Sequence, residues 1–134
     1  MGNMEAYISV PISKERESRV IQFALEGIGI RVNNPCDIDD AHGPKDNIPE
    51  SVARECVDMM DRSDVGILLL DYFGHDCAWE VGYMSGKKPV YGVRVNLGHL
   101  NESLKELGQY RHSLEKIFDS VTEMVDFLRG NSRG

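Results

Sequence analysis

Asp71, His75, Asp76 and Glu80 fall within ten residues of one another in this chain. Carboxyl groups at such spacing can divide a task. One, ionised, attacks an electrophilic carbon, and a second protonates or holds the departing group. Two carboxyls with separate roles are the usual equipment for breaking a glycosidic bond, and close spacing favours a covalent, retaining route. Glu80 is the candidate nucleophile, with Asp76 or Asp71 as its partner. The reading sets Glu80 at the start of a helix, where the macrodipole favours a negative carboxylate by ~0.3–1 kcal/mol. Tyr7, on the first apolar segment, is placed to hydrogen-bond Glu80 and fix its rotamer. A plainer reading stands beside each. Acidic residues in a first helical turn are common caps, a tyrosine is often a core aromatic, and His75 reads as an exposed loop residue.

Other chemistries fit less well. His75 and Cys77, with Cys36, His42 and Cys56, lack the paired ligand spacing of a zinc site. Gly27-Ile28-Gly29 ends a helix where a dinucleotide fingerprint would follow a strand. Neither a P-loop nor a nucleophile elbow is present.

The elements that must position these groups are legible as an alternation. Ala6 to Val10 is a β-rich run stopped by Pro11. Behind Ser13, the residues Val20, Ile21, Ala24, Leu25 and Ile28 recur at helical spacing, with Phe23 beside them. Gly27 and Gly29 close that helix, and Ile28, Ile30 and Val32 alternate as a second strand. Asn33 to Asn47 carries Pro, Gly, Asn and Asp, and its length suggests a lid or binding loop. Pro49 to Arg62 reads as a helix burying Val52, Ala53, Cys56, Val57 and Met60. Val65 to Leu70 is apolar without alternation, as in a parallel strand covered on both faces. A polar loop, Asp71 to Asp76, leads into a helix over Cys77–Ser85, and Pro89 to Val93 is a fourth strand. A helix near Glu102 to Leu107, a short strand at Ile117-Phe118 and a last helix over Val121–Leu128 complete the chain.

This order predicts a single α/β domain spanning residues 1–134, a Rossmann- or flavodoxin-like sandwich with a five-stranded, mainly parallel sheet and helices on both faces. Ligands of such sheets sit beyond the carboxyl ends of the strands, where strand order reverses. The rule points to Pro11–Ser13, Asn33–Pro35 and Asp71–Glu80.

The formal net charge of -7 over 134 residues argues against a surface for nucleic-acid polymers, which needs clustered Lys and Arg. Three cysteines, Cys36, Cys56 and Cys77, favour reduced thiols over a disulfide framework. No secretory signal is visible, Ala6 spoils a myristoylation pattern, and no apolar stretch approaches the ~20 residues that cross a bilayer. The expectation is a cytoplasmic protein with no membrane partner.

Asp76-Cys77-Ala78-Trp79-Glu80-Val81-Gly82-Tyr83, followed by Gly86-Lys87-Lys88-Pro89-Val90, resembles the nucleoside 2-deoxyribosyltransferase family, which includes the deoxynucleoside 5'-monophosphate N-glycosidases. Tyr7-Ile8-Ser9-Val10-Pro11-Ile12 is similar to the family's opening strand and loop, and Ser63-Asp64-Val65 to the entry of its third strand. The similarity runs from about Tyr7 to Leu128, and the Glu80 segment is its specific part. The resemblance implies a catalytic set of Glu80, Tyr7 and Asp76, and substrate contacts from Ser9, Val10, Ser13, Asn34, Asp58 and Asp71. It implies no cofactor and no metal. It also implies a homodimer or higher homo-oligomer whose sites are completed by a neighbour's residue, here Asn101 or Ser103.

Four departures from the family pattern stand out. Val10 replaces a Gly common before the Pro of the first loop. Cys56 occupies a position that is usually Asp, with Glu55 and Asp58 as stand-ins. Asp76 lies four residues before Glu80 where six is common, which leaves Asp71 as the alternative residue to serve the base. Ser13 stands where some phosphate-selective members carry Arg.

The leading expectation is an enzyme that cleaves the N-glycosidic bond of a nucleoside through a glycosyl-enzyme on Glu80 and transfers the 2-deoxyribosyl group to another free nucleobase. Hydrolysis of a nucleoside monophosphate is the alternative outcome. A non-catalytic nucleotide-binding module, motivated by Val10 and Cys56, is the reading from a different class.

Overall fold

A computed structural model describes residues 4–38, 50–71, 75–95 and 112–132. The described strands are β1 (Glu5–Ser9), β2 (Arg31–Asn33), β3 (Val65–Leu69), β4 (Val90–Val93) and β5 (Lys116–Phe118); the helices are α1 (Glu15–Glu26), α2 (Glu50–Arg62), α3 (His75–Ser85) and α4 (Val121–Ser132). The strands form one sheet in the order β2-β1-β3-β4-β5, and every pairing is parallel. This is the flavodoxin-like order, and its reversal point lies between β1 and β3.

Strand alternation sorts the core into two layers. Ala6, Ile8 and Val10 with Ile67, Leu69, Val93 and Phe118 face Ile21 and Leu25 of α1 and Met124 and Leu128 of α4. Tyr7, Leu68, Leu70 and Val90 face Met60 of α2 and Cys77, Val81 and Met84 of α3. The unbroken apolar run of β3 is therefore buried on both sides, since its odd and even residues supply different layers. Glycine admits the close approach of α3: a Cβ at Gly66 would lie 2.8 Å from Met84 Cε.

Several boundaries differ from the sequence reading. The alternation of Ile28, Ile30 and Val32 is not a strand throughout; β2 begins at Arg31. Ile30 N donates to Leu25 O and Gly29 N to Glu26 O, each at 3.0 Å, and Gly29 has φ 85°. These paired bonds form a helix terminator that needs a left-handed residue, which glycine supplies without steric penalty. Ile28 and Ile30 seal the helix end against the core. On α1, Ile21 and Leu25 are buried, whereas Val20 and Phe23 are exposed. On α2, Val52 and Met60 are buried and Ala53 is exposed. The supposed lid begins with ordered structure: Asn33 ends β2 and Pro35–Asp37 forms one 3-10 turn. Residues 39–47 of that segment, and the helix expected near Glu102, lie outside the described residues.

Candidate active site

The two-residue period of β1 sends Tyr7 and Ser9 to the same face of the sheet, the face covered by α2 and α3. They lie at the carboxyl end of a strand beside the reversal point, and both side chains are 0% exposed. From α3, Glu80 reaches back toward them. Tyr7 Oη donates to Glu80 Oε2 at 2.6 Å, and Ser9 Oγ donates to Glu80 Oε1 at 2.7 Å. Each carboxylate oxygen thus has its own donor, at distances typical of charge-assisted bonds. Glu80 itself retains 9% exposure, so it is the member of the trio that still meets the outside.

The electrostatics differ from the sequence expectation. Because α3 starts at His75, Glu80 sits in its second turn, past the first turn in which the macrodipole acts. Burial pushes the Glu80 carboxyl up to about 7, against lowering by the hydrogen bonds from Tyr7 and Ser9 and with a further upward push from the charge of Asp76. Desolvation outweighs the two donors, so the carboxyl is poised near neutrality. The same burial, with Glu80 beside it, holds the Tyr7 phenol far above its ordinary range and keeps it a donor.

Cys56 of α2, half-buried, completes the surroundings of Tyr7, packing beside it and interacting with its hydroxyl. Burial pushes this thiol up to about 11, so the position contributes a neutral group. Its neighbours Glu55 and Asp58 are both exposed. Asp58 is two residues from Cys56, a turn of about 200° on a helix, and does not join the trio.

Asp76 is exposed in the first turn of α3, one turn before Glu80. Asp71 is 3% exposed just past β3, and its Oδ1 accepts from Val95 N at 2.9 Å, tying the ends of β3 and β4 together. The Val10 side chain belongs to the opposite core layer. Ser13 is exposed on a short 3-10 turn. Asn34 is buried, its Nδ2 donating to Ser18 Oγ at 3.0 Å and Gln22 Oε1 at 3.1 Å while its Oδ1 accepts from Cys36 N at 2.9 Å. That amide braces the end of β2 against α1. Asn101 and Ser103 lie outside the described residues.

Sequence reasoning missed the Ser9–Glu80 contact and the place of Cys56 beside Tyr7. The shared parity of positions 7 and 9 on one strand was the available signal for the first. Another missed feature is Lys88, whose Nζ donates to the carbonyls of Met60 and, at 2.6 Å, of Ser63, capping the end of α2. On the outer side of α3, Trp79 is 57% exposed and stacks on Tyr83 with ring centroids 5.2 Å apart. Lys87 Nζ lies 3.4 Å from the centroid of that Tyr83 ring. No helix among the described residues is long and apolar enough to cross a membrane.

Among solved structures, the fold is similar to a 2-deoxyribosyltransferase from Bacillus psychrosaccharolyticus, with 18% identity, a TM-score of 0.65 and coverage of 90% of each chain. It is also similar to the CMP N-glycosidase BcmB of Clostridium botulinum, with 12% identity, a TM-score of 0.58 and coverage of 92% of this chain and 97% of that one. No curated protein sequence matches the chain. The family model for nucleoside 2-deoxyribosyltransferases matches residues 9–120, which takes in the sheet from the end of β1 to β5 together with Glu80. With that match over most of its length, the chain belongs to the nucleoside 2-deoxyribosyltransferase family.

Proposed function

We propose that the protein cleaves the N-glycosidic bond of a nucleoside through a covalent intermediate on Glu80 and transfers the 2-deoxyribosyl group to a second base. The observation that carries this reading is the single carboxylate whose two oxygens are separately held, at the reversal point of a parallel sheet. A fixed carboxylate fits in-line attack on an anomeric carbon, because its orientation is set before substrate arrives.

In the first half-reaction a Glu80 oxygen bonds to the anomeric carbon as the bond to the base nitrogen breaks, and the electron pair leaves with the base. Asp76, exposed one turn away, is the carboxyl placed to protonate or hold that base. Asp71 remains the alternative for the same task, although its Oδ1 already holds Val95. In the second half-reaction a nitrogen of the incoming base attacks the anomeric carbon, its N–H proton passes to the carboxylate that protonated the departing base, and the electron pair of the broken ester bond returns to the Glu80 carboxylate.

Hydrolysis is the second reading, in which water takes the place of the incoming base and a nucleoside monophosphate is the substrate. The similarity to a CMP N-glycosidase favours it. The chemistry up to the glycosyl-enzyme is common to both readings.

Association into a dimer or larger homo-oligomer belongs to the same proposal. Trp79 adjoins Glu80 in sequence and is more than half exposed, and exposed Ala78 and Gly82 leave the helix surface around it low.

The test is a chromatographic assay of deoxynucleosides and their 5'-monophosphates, with and without a different free base. A new deoxynucleoside formed only with added base identifies a transferase, and base released from the monophosphate alone identifies a hydrolase. Glu80→Ala should lose on the order of 10³-fold or more in kcat/KM; full turnover by that variant would remove Glu80 from the nucleophile's role.

A further inference from the structure

Ser9 is fully buried, and its hydroxyl lies 2.7 Å from Glu80 Oε1. A side chain with no exposed surface is poorly placed to contact a ligand, so the substrate contact suggested by the resemblance does not describe what this residue touches. Its partner is the nucleophile. We propose that Ser9 is a positioning residue for both half-reactions: its hydroxyl fixes Glu80 Oε1 for attack and stabilises the same carboxylate as the departing group when the sugar ester is broken. The inference rests on the nucleophilic role of Glu80 proposed above.

The electron balance shows why one hydroxyl serves two steps. During attack, Glu80 gives an electron pair to the anomeric carbon and the bond to the base breaks. A carboxylate turned into an ester accepts hydrogen bonds less strongly, so the donors lose part of their hold at this stage. When water or an incoming base attacks the anomeric carbon, the bond to Glu80 breaks and the pair returns to the carboxylate. The acceptor's surplus proton leaves to solvent or to a neighbouring carboxylate. Charge reappears in a site that is nearly closed, and O–H donors already aimed at both oxygens receive it. Tyr7 holds Oε2, and without Ser9 nothing else in the trio is bonded to Oε1.

A more basic carboxylate follows from losing that donor, because the Ser9 hydrogen bond lowers the Glu80 pKa. Such a group is protonated over more of the neutral range and leaves an ester less readily. The two effects separate with pH. On the acid side the loss appears in kcat/KM, as fewer molecules carry the attacking carboxylate. On the alkaline side, where Glu80 is ionised in any case, it appears as a slower second half-reaction and accumulation of glycosyl-enzyme.

Ser9→Ala is the variant to test, and intact mass spectrometry during turnover reads the intermediate. The wild-type kcat/KM profile should rise with a midpoint near 7. In Ser9→Ala that midpoint should move up by about one pH unit, a roughly tenfold loss on the acid side. Above it, the fraction of enzyme bearing a sugar should increase. An unmoved midpoint together with an unchanged steady-state fraction would overturn the proposal.

Infrared titration of the Glu80 carboxyl, taken as the difference from Glu80→Gln, needs no turnover. A higher midpoint in Ser9→Ala supports the hold on Oε1, and an equal one refutes it. If the wild type turns over no nucleoside or nucleotide, the functional reading fails by itself. The titration then still decides whether Ser9 governs the carboxylate.

Discussion

Glu80 is a carboxyl held near neutrality by burial, and that arrangement has a stability signature as well as a kinetic one. In the folded protein it titrates at about 7, against an ordinary 4.5. Between those values the folded state binds more protons than the unfolded chain, so stability falls as pH rises through the window. The full penalty is present above pH ~7 and absent below ~4.5, and it is on the order of 3 kcal/mol. Glu80→Gln can still accept from Tyr7 and can donate to Ser9 Oγ, yet it never ionises. Its melting temperature should therefore exceed that of the wild type by several degrees at pH 8, at roughly 3–5 °C per kcal/mol for a chain of this size, with the gap closing toward pH 4.5. Thermal unfolding followed by circular dichroism across that range checks the sign, and an equal gap at both ends would refute it. Glu80 and Tyr7 were legible in the sequence because their residue types and flanking motif are distinctive. Ser9 was legible as a site residue but its bond to Glu80 was not, because parity puts it on the face of Tyr7 without naming the helical side chain that meets it there. The bonds of Asn34 were hidden for a related reason. A polar residue at the carboxyl edge looks available to ligand until its partners on α1, Ser18 and Gln22, are seen to occupy its amide.

At the scale of elements, the site depends on how closely α3 and the strand ends settle on one another. Two glycines permit this in different ways. At Gly66 an added Cβ would meet the thioether end of Met84 at 2.8 Å, and an unbranched side chain can swing aside. At Gly92 it would meet Leu70 Cδ1 at 2.9 Å and Cγ at 3.0 Å, where the branch point itself obstructs. Gly92→Ala should accordingly cost about 1–3 kcal/mol, and Gly66→Ala distinctly less. Urea denaturation of both variants measures the difference, and equal losses would count against it. Because Leu70 precedes Asp71 at the mouth of the sheet, Gly92→Ala should also lower turnover more than Gly66→Ala. The alternation of strands and helices was readable because a parallel sheet needs apolar runs separated by amphipathic ones. The start of β2 was misread because the hydrophobic contact closing α1 places apolar residues on either side of Gly29, which imitates strand spacing. The start of α3 was misread by two residues, and with it the weight given to the helix dipole at Glu80.

For the whole molecule, the family follows from a pattern that runs from the end of β1 to β5, while the proposed association in solution is argued from the exposed face of α3. Light scattering on the wild type should give a multiple of 15.1 kDa. Trp79→Glu, which places a charge on that face, should reduce the particle to one chain and depress turnover with it. A wild type that is already monomeric and active would remove the shared-site reading. One contact described above also bears on how the molecule comes to be. The Tyr7–Glu80 bond joins residues 73 apart, and it forms only where β1 lies against β3, with Tyr7 in register with Gly66. Contacts of such sequence separation are slow to close, because the intervening chain must surrender its freedom before they are made. The helices can form earlier, leaving Glu80 in water with an ordinary acidity. The expected consequence is that the buried, hydrogen-bonded state of Glu80 arises late in folding, so that a partly folded molecule carries this side chain without its raised pKa.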